Sequence, residues 1–179
     1  GGRGYAIDVF RVTGGSRHDW VLHGSADEDM RLSTSLPAQE FQPNLLPKAV
    51  AFRPWKSEYG SNIQGGVNNS YGLFRDLRRA AGEGSWSACM ECEDGVGVRT
   101  DMLGQAGTEL FLGRIPSVRR AKEDSSRVHD FSMPVLLARR EGRNLESTFA
   151  AVHQAYAAGD AQYDAARRAG EDNDPRGVG

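Results

Sequence analysis

Tyr5-Ala6-Ile7-Asp8-Val9-Phe10-Arg11-Val12 is an apolar stretch broken only by Asp8 and Arg11, and rich in β-branched and aromatic residues. That pattern predicts a strand. Thr13-Gly14-Gly15-Ser16 follows, and two glycines take the positive φ angles of a tight turn at no steric cost. Asp19-Trp20-Val21-Leu22-His23 then predicts a returning strand, stopped by Gly24, so that the whole reads as a β-hairpin. Side chains alternate across a strand. Asp19, Val21 and His23 therefore share one face, and His18, Trp20 and Leu22 the other. His18 and His23 point apart and do not form one metal site.

Residues 25–70 carry little pattern. Asp27-Glu28-Asp29 is acidic, Pro37, Pro43, Pro47 and Pro54 recur, and Gly65-Gly66-Val67-Asn68-Asn69 reads as a turn. Long surface loops are expected here, with one short strand near Ala49-Val50-Ala51-Phe52. So long an irregular stretch in a compact domain has a use, such as a lid or a cleft wall. Beyond it, Leu73 to Ala80 fits either a short helix or an extended segment. Ser85–Ala88, Gly97–Leu103, Thr108–Arg114 and Pro134–Arg140 each predict a strand. Glu141-Gly142-Arg143-Asn144 then leads into Ser147–His153 as a second hairpin. Many strands and little helix predict an all-β fold, a two-sheet antiparallel β-sandwich with long loops. It spans residues 1–156, and residues 157–179 form a mobile or short-helix tail rich in Ala, Asp and Arg.

Composition narrows the function classes. The 179 residues carry 22 basic against 24 acidic side chains, a net charge of −2, which gives no reason to expect nucleic acid. No apolar run is long enough to span a membrane, and no basic-then-apolar leader opens the chain. Gly1-Gly2-Arg3-Gly4 enters a strand at once, as in a piece of something longer. Cys89 and Cys92 form a lone C-x-x-C. It supplies half of a tetrahedral zinc site and lacks the strand-to-helix setting of a redox motif, so the pair reads as incidental thiols.

"YAIDVFRVTGGSRHDWVLHG" resembles a strand-turn-strand of the heparinase II/III-like family, in which Asp-x-Phe-Arg-Val, a Gly-Gly turn, His-Asp-aromatic and His-Gly recur. "GTELFLGRIPSVRR" and "PVLLARREGRNLESTFAAVHQAY" resemble later stretches of the same family. The similarity covers roughly residues 5–156, weakly across 26–70. It implies the later part of the β-sandwich of a polysaccharide lyase, which binds acidic polysaccharide such as heparan sulfate or alginate between sandwich and helical toroid. The chemistry implied is β-elimination, and the implied parent enzyme is secreted or periplasmic. These residues include neither the toroid nor the family's His-x-His-x-Asp-like stretch with its completing Asp and His. No catalytic residue and no zinc ligand therefore carries over; any zinc of the parent lies outside this segment.

Arg17, His18, Trp20 and His23 are the residues best suited to face a sugar. Trp stacks on pyranose rings, and Arg forks onto a carboxylate or sulfate. The plainer alternative is a hairpin with Trp20 in the core and its His and Arg solvated. Asp8 and Asp19 are expected to pair with Arg11 or Arg17. Arg119-Arg120 and Arg139-Arg140 read as solvated strand-end charges, or else as a polyanion-binding rim. His129 and His153 belong to no constellation, while Tyr59 and Tyr71 sit in Gly- and Asn-rich surroundings that suit a cleft border. A non-catalytic carbohydrate-binding or structural sandwich is the competing reading of the whole chain.

Overall fold

A computed structural model describes residues 4–51, 70–122, 127 and 130–158. Ten strands run in chain order: β1 (Tyr5–Thr13), β2 (Arg17–His23), β3 (Met30–Thr34), β4 (Gln39–Glu40), β5 (Arg75–Ala81), β6 (Trp86–Cys92), β7 (Gly97–Met102), β8 (Thr108–Pro116), β9 (Ser132–Glu141) and β10 (Glu146–Tyr156). A 3-10 turn at Ser70–Leu73 and the short helix α1 (Val118–Ala121) are the helical elements among the described residues. The strands form two five-stranded sheets, ordered β1-β10-β7-β6-β3 and β2-β9-β8-β5-β4. The expected all-β, two-sheet antiparallel sandwich is the observed architecture.

The two expected hairpins are not hairpins. β1 pairs with β10 in the first sheet, whereas β2 pairs with β9 in the second. Each turn is an arch that crosses from one sheet to the other, and the two arches lie against each other. Gly14 N–H donates to the Leu145 carbonyl at 2.7 Å, and Leu145 N–H to that of Gly15 at 3.3 Å. Gly142 N–H donates to Ser16 O at 3.1 Å. The backbone groups of one turn are thus satisfied by the other, instead of by a strand partner within its own hairpin. Gly14 and Gly15, at φ 89 and 76, supply the left-handed backbone this crossing needs.

The main core lies between the sheets and gathers Trp20, Trp86, Met90, Met102, Leu110, Leu112, Leu136 and Phe149. A second, smaller core forms on the outer side of the second sheet, where Leu45 and Phe74, with Phe41 and Tyr71, cover Leu77, Phe111, Val135 and Leu137. Both faces of β8 and β9 are therefore buried, which is why Leu110-Phe111-Leu112 and Val135-Leu136-Leu137-Ala138 are continuous apolar runs.

Several local expectations change. The 73–80 segment, open between helix and strand, leaves the 3-10 turn at Leu73 and is extended from Arg75 on as β5. β3 and β4 arise in the pattern-poor region, stabilised by pairing with β6 and β5. Ala49–Ala51 is not a strand: Val50 N–H closes a turn onto the Pro47 carbonyl at 2.8 Å. The tail from residue 159, and Phe52, Tyr59, the 65–69 turn and His129, lie outside the described residues.

Candidate functional site

Alternation along β2 is as the residues predict, and it separates the four sugar-facing candidates. His18 and Trp20 are buried, at 5% and 6% exposure. Their expected place against sugar is corrected to the sandwich interior, because the inward face of β2 meets the first sheet. The Gly14 carbonyl can only accept, so His18 Nε2 donates to it. In the neutral ring Nδ1 then accepts from the Ser147 hydroxyl at 2.9 Å. Trp20 Nε1 donates to Asp8 Oδ2 at 2.9 Å, and its ring stacks on His153. His153 Nδ1 is bonded in turn to Thr100 Oγ1 at 2.9 Å. Arg17 and His23 are on the surface. Arg17 Nε donates to Glu141 at 2.6 Å, and His23 Nδ1 to the Gly24 carbonyl at 2.8 Å.

The expected ion pairs also regroup. Asp8 and Asp19 pair with neither Arg11 nor Arg17. Asp19 accepts two hydrogen bonds of 2.8 Å from Arg139, and a third from the Tyr71 hydroxyl. Tyr71 thus packs over the second sheet, its phenol raised above the usual value by burial and then by Asp19. Arg139 and Arg140 are not a solvated or polyanion-binding rim, being 6% and 3% exposed. Neighbours on a strand face opposite ways, and each finds its own partners. Arg140 points inward, donates to Thr108 Oγ1 at 2.8 Å and Thr148 O at 3.1 Å, and lies over the Phe149 ring. Arg119 and Arg120 are held by Asp27 and Asp29.

Cys89 and Cys92 are three positions apart on a regular strand, so their side chains face opposite sides of the first sheet and do not converge. Burial pushes the Cys89 thiol up, and burial and Glu28 push Cys92 up to about 11. Arg99 draws the Cys89 thiol down by less than burial raises it, and only burial and carboxylates act on Cys92, so neither is favoured as a thiolate. Among the described residues no group of three or more His, Cys, Asp or Glu is placed to hold a metal ion.

A cluster of charged side chains in a cleft lies elsewhere. A cleft of about 1070 Å³ runs where the β3 edge of one sheet faces β4 and β5 of the other. Arg31, Arg75, Arg78 and Arg114 line it, against Glu40 and Asp76. Arg78 Nη2 donates to the Leu32 carbonyl at 3.2 Å, and Arg114 Nε to Ser132 Oγ at 2.7 Å, which orients both guanidinium groups. Arg31 is tied to Glu91 at 3.2 Å. Sequence spacing hides this group, because Arg75 and Arg78 are three apart and would face opposite ways on a regular strand. The visible signal was only the density of arginine in Arg75–Arg79.

Clefts of this size hold small ligands. Guanidinium groups fork onto planar or tetrahedral oxyanions. The arrangement can therefore bind and orient an anion. Comparison with known protein families and with curated proteins finds no match to this chain.

Proposed function

We propose that this chain is the β-sandwich portion of a polysaccharide lyase acting by β-elimination on a uronic-acid polysaccharide, heparan sulfate- or alginate-like. It forms a cleft wall against a helical toroid of the same parent. One observation carries the reading: the three stretches that resemble the family interlock in space. β1 and β2, β8, and β9 and β10 are contiguous, and their polar residues bond to one another. His18 meets Ser147, Asp19 meets Arg139, and Arg140 meets Thr108. Motif residues scattered over the chain thus form one structural unit.

In such an enzyme a base removes the C5 proton of the uronate. The C–H electron pair becomes the C4–C5 double bond, and the 4-linked oxygen leaves with a proton from an acid. Neutralising the uronate carboxylate makes C5 acidic enough, so cations beside it lower the barrier. The parent would be exported to wherever it meets its polymer, and zinc, if the parent holds it, would sit outside this chain.

The test is the lyase rate of the full-length parent on a panel of uronic-acid polymers, read as near-ultraviolet absorbance of the unsaturated product. Product from the parent and none from the isolated chain is expected; no product from the parent on any polymer overturns the reading. The alternative, a non-catalytic carbohydrate-binding or structural sandwich, has its own support. His18, Asp19, Arg139 and Arg140 are already engaged in bonds that hold the fold.

A further inference from the structure

The pairing of β5 with β8 contains a bulge. Arg75 stands opposite Arg114 and Arg78 opposite Leu112, with a register shift between them. Arg114 and Leu112 are two residues apart and share the inward face, so Arg75 and Arg78 both join that face. The extra residue re-aims the strand, as bulges do. Asp76 takes the left-handed backbone at φ 51 that the bulge demands. Gly113 makes room for it, since a Cβ there would stand 2.6 Å from the Arg75 carbonyl and 2.7 Å from Leu77.

The result is a like-charge pair, Arg75 and Arg114, directly across two strands. Such pairs destabilise a sheet. Among the described residues no carboxylate bonds to either: Arg114 spends its donors on Ser132 and the Met30 carbonyl. Both line the cleft, and both are half-buried. Arg114 is oriented by neutral acceptors, with Asp29 near enough to feel its charge; two like charges brought together by a bent strand are a setting that an anion between them would relieve.

We propose that Arg75, Arg78 and Arg114 form an oxyanion subsite in this cleft, which takes a carboxylate or sulfate group of an acidic sugar unit. This rests on the polysaccharide reading above for the sugar, but not for the oxyanion. The bulge is then a device of recognition, setting guanidinium groups around one anion.

The 179-residue chain is titrated calorimetrically with three probes: an oligouronate bearing only carboxylates, a sulfated neutral glucan oligomer, and inorganic sulfate. Arg75→Gln and Arg78→Gln are each expected to weaken binding about tenfold or more, since a hydrogen bond to a charged group is being lost. Arg143→Gln, in the distant arch, removes the same charge and is expected to leave affinity unchanged. Arg75→Lys keeps the charge without the fork and is expected to weaken binding less than Gln. Arginine Nε–H signals of the unmodified chain give a readout that needs no variant, and those of the three cleft arginines are expected to shift with each binding probe. Oligomer binding that survives both Gln variants overturns the subsite and leaves the polysaccharide reading standing. Sulfate binding lost in the variants, with neither oligomer bound, supports the oxyanion site and counts against the polysaccharide. No binding of any probe by the unmodified chain overturns the subsite.

Discussion

Arg139 and Asp19 stand in register on β9 and β2, joined by two hydrogen bonds of 2.8 Å, with only 7% and 8% of their side chains exposed. The Tyr71 hydroxyl closes over the same carboxylate, and the Arg139 guanidinium lies 5.2 Å from the Tyr71 ring centre. The pair joins β2 to its sheet on the outer side, under the smaller core.

Removing one partner of such a pair strands the other as a buried charge. Asp19→Ala is expected to cost about 3–5 kcal/mol in urea denaturation. The double variant Asp19→Leu/Arg139→Met, which removes both charges, is expected to recover most of that loss. A double variant no more stable than Asp19→Ala would show that the pair does not couple.

His18 and His23 separate by burial. His18→Ala leaves the Ser147 hydroxyl and the Gly14 carbonyl without their partner, so about 2 kcal/mol or more of stability is expected to go. His23 is on the surface, and His23→Ala is expected to change stability by less than about 0.5 kcal/mol. The thermal midpoints of the two variants check this directly.

Gly15 has φ 76 and nothing within 4 Å of where a Cβ would stand. The cost of Gly15→Ala is then backbone strain alone, about 1–2 kcal/mol. Gly15→Asn, which tolerates the left-handed region, is expected to cost less. Equal losses in chemical denaturation for the two variants would point to a cause other than strain.

Alkaline pH is expected to weaken the fold. Burial, then the Asp19 hydrogen bond and charge, raise the Tyr71 phenol above its ordinary 10.0, against a smaller opposing effect of Arg139. Burial, then Cys89 and Glu91, raise Tyr156 in the same direction. In the unfolded chain both phenols ionise near pH 10, while in the folded chain they keep their protons. The folded state therefore binds more protons above that value, and stability falls as pH rises through it. Below it the contribution is fully present. Denaturation midpoints at about pH 9 and about pH 11 read the loss, and Tyr71→Phe and Tyr156→Phe are each expected to flatten it.

Along β2 the inward and outward residues were legible from alternation, because the side-chain period is a property of the extended backbone itself. The strands outside residues 25–81, the all-β class and the position of the glycine turn were legible for the same local reason, whereas β3, β4 and β5 were not. The partner of each strand was not. Thr13–Ser16 fits a hairpin or an arch equally well, and the choice falls to the Gly142–Leu145 turn far along the chain, whose backbone groups complete those of the first. The coverage of the second sheet's outer face by Leu45, Tyr71 and Phe74 was equally hidden. It depends on a pattern-poor segment folding back over Phe111 and Leu137.

The arginines show the division most plainly. By sequence, Arg139 and Arg140 are two more charges at a strand end, and the segment of Arg75 and Arg78 is open between helix and strand. Tertiary structure reverses the first reading and decides the second. Asp19 and Thr108 approach β9 from its neighbouring strands, so two adjacent guanidiniums are buried on opposite sides of one sheet. A single extra residue in β5, permitted by Gly113, turns Arg75 and Arg78 to the same cleft. Local chemistry determined which residues form strands and which way a regular strand presents them. Strand pairing and one bulge decided which charges are buried in the fold and which line the cleft, because burial and register are set by partners that no local pattern specifies.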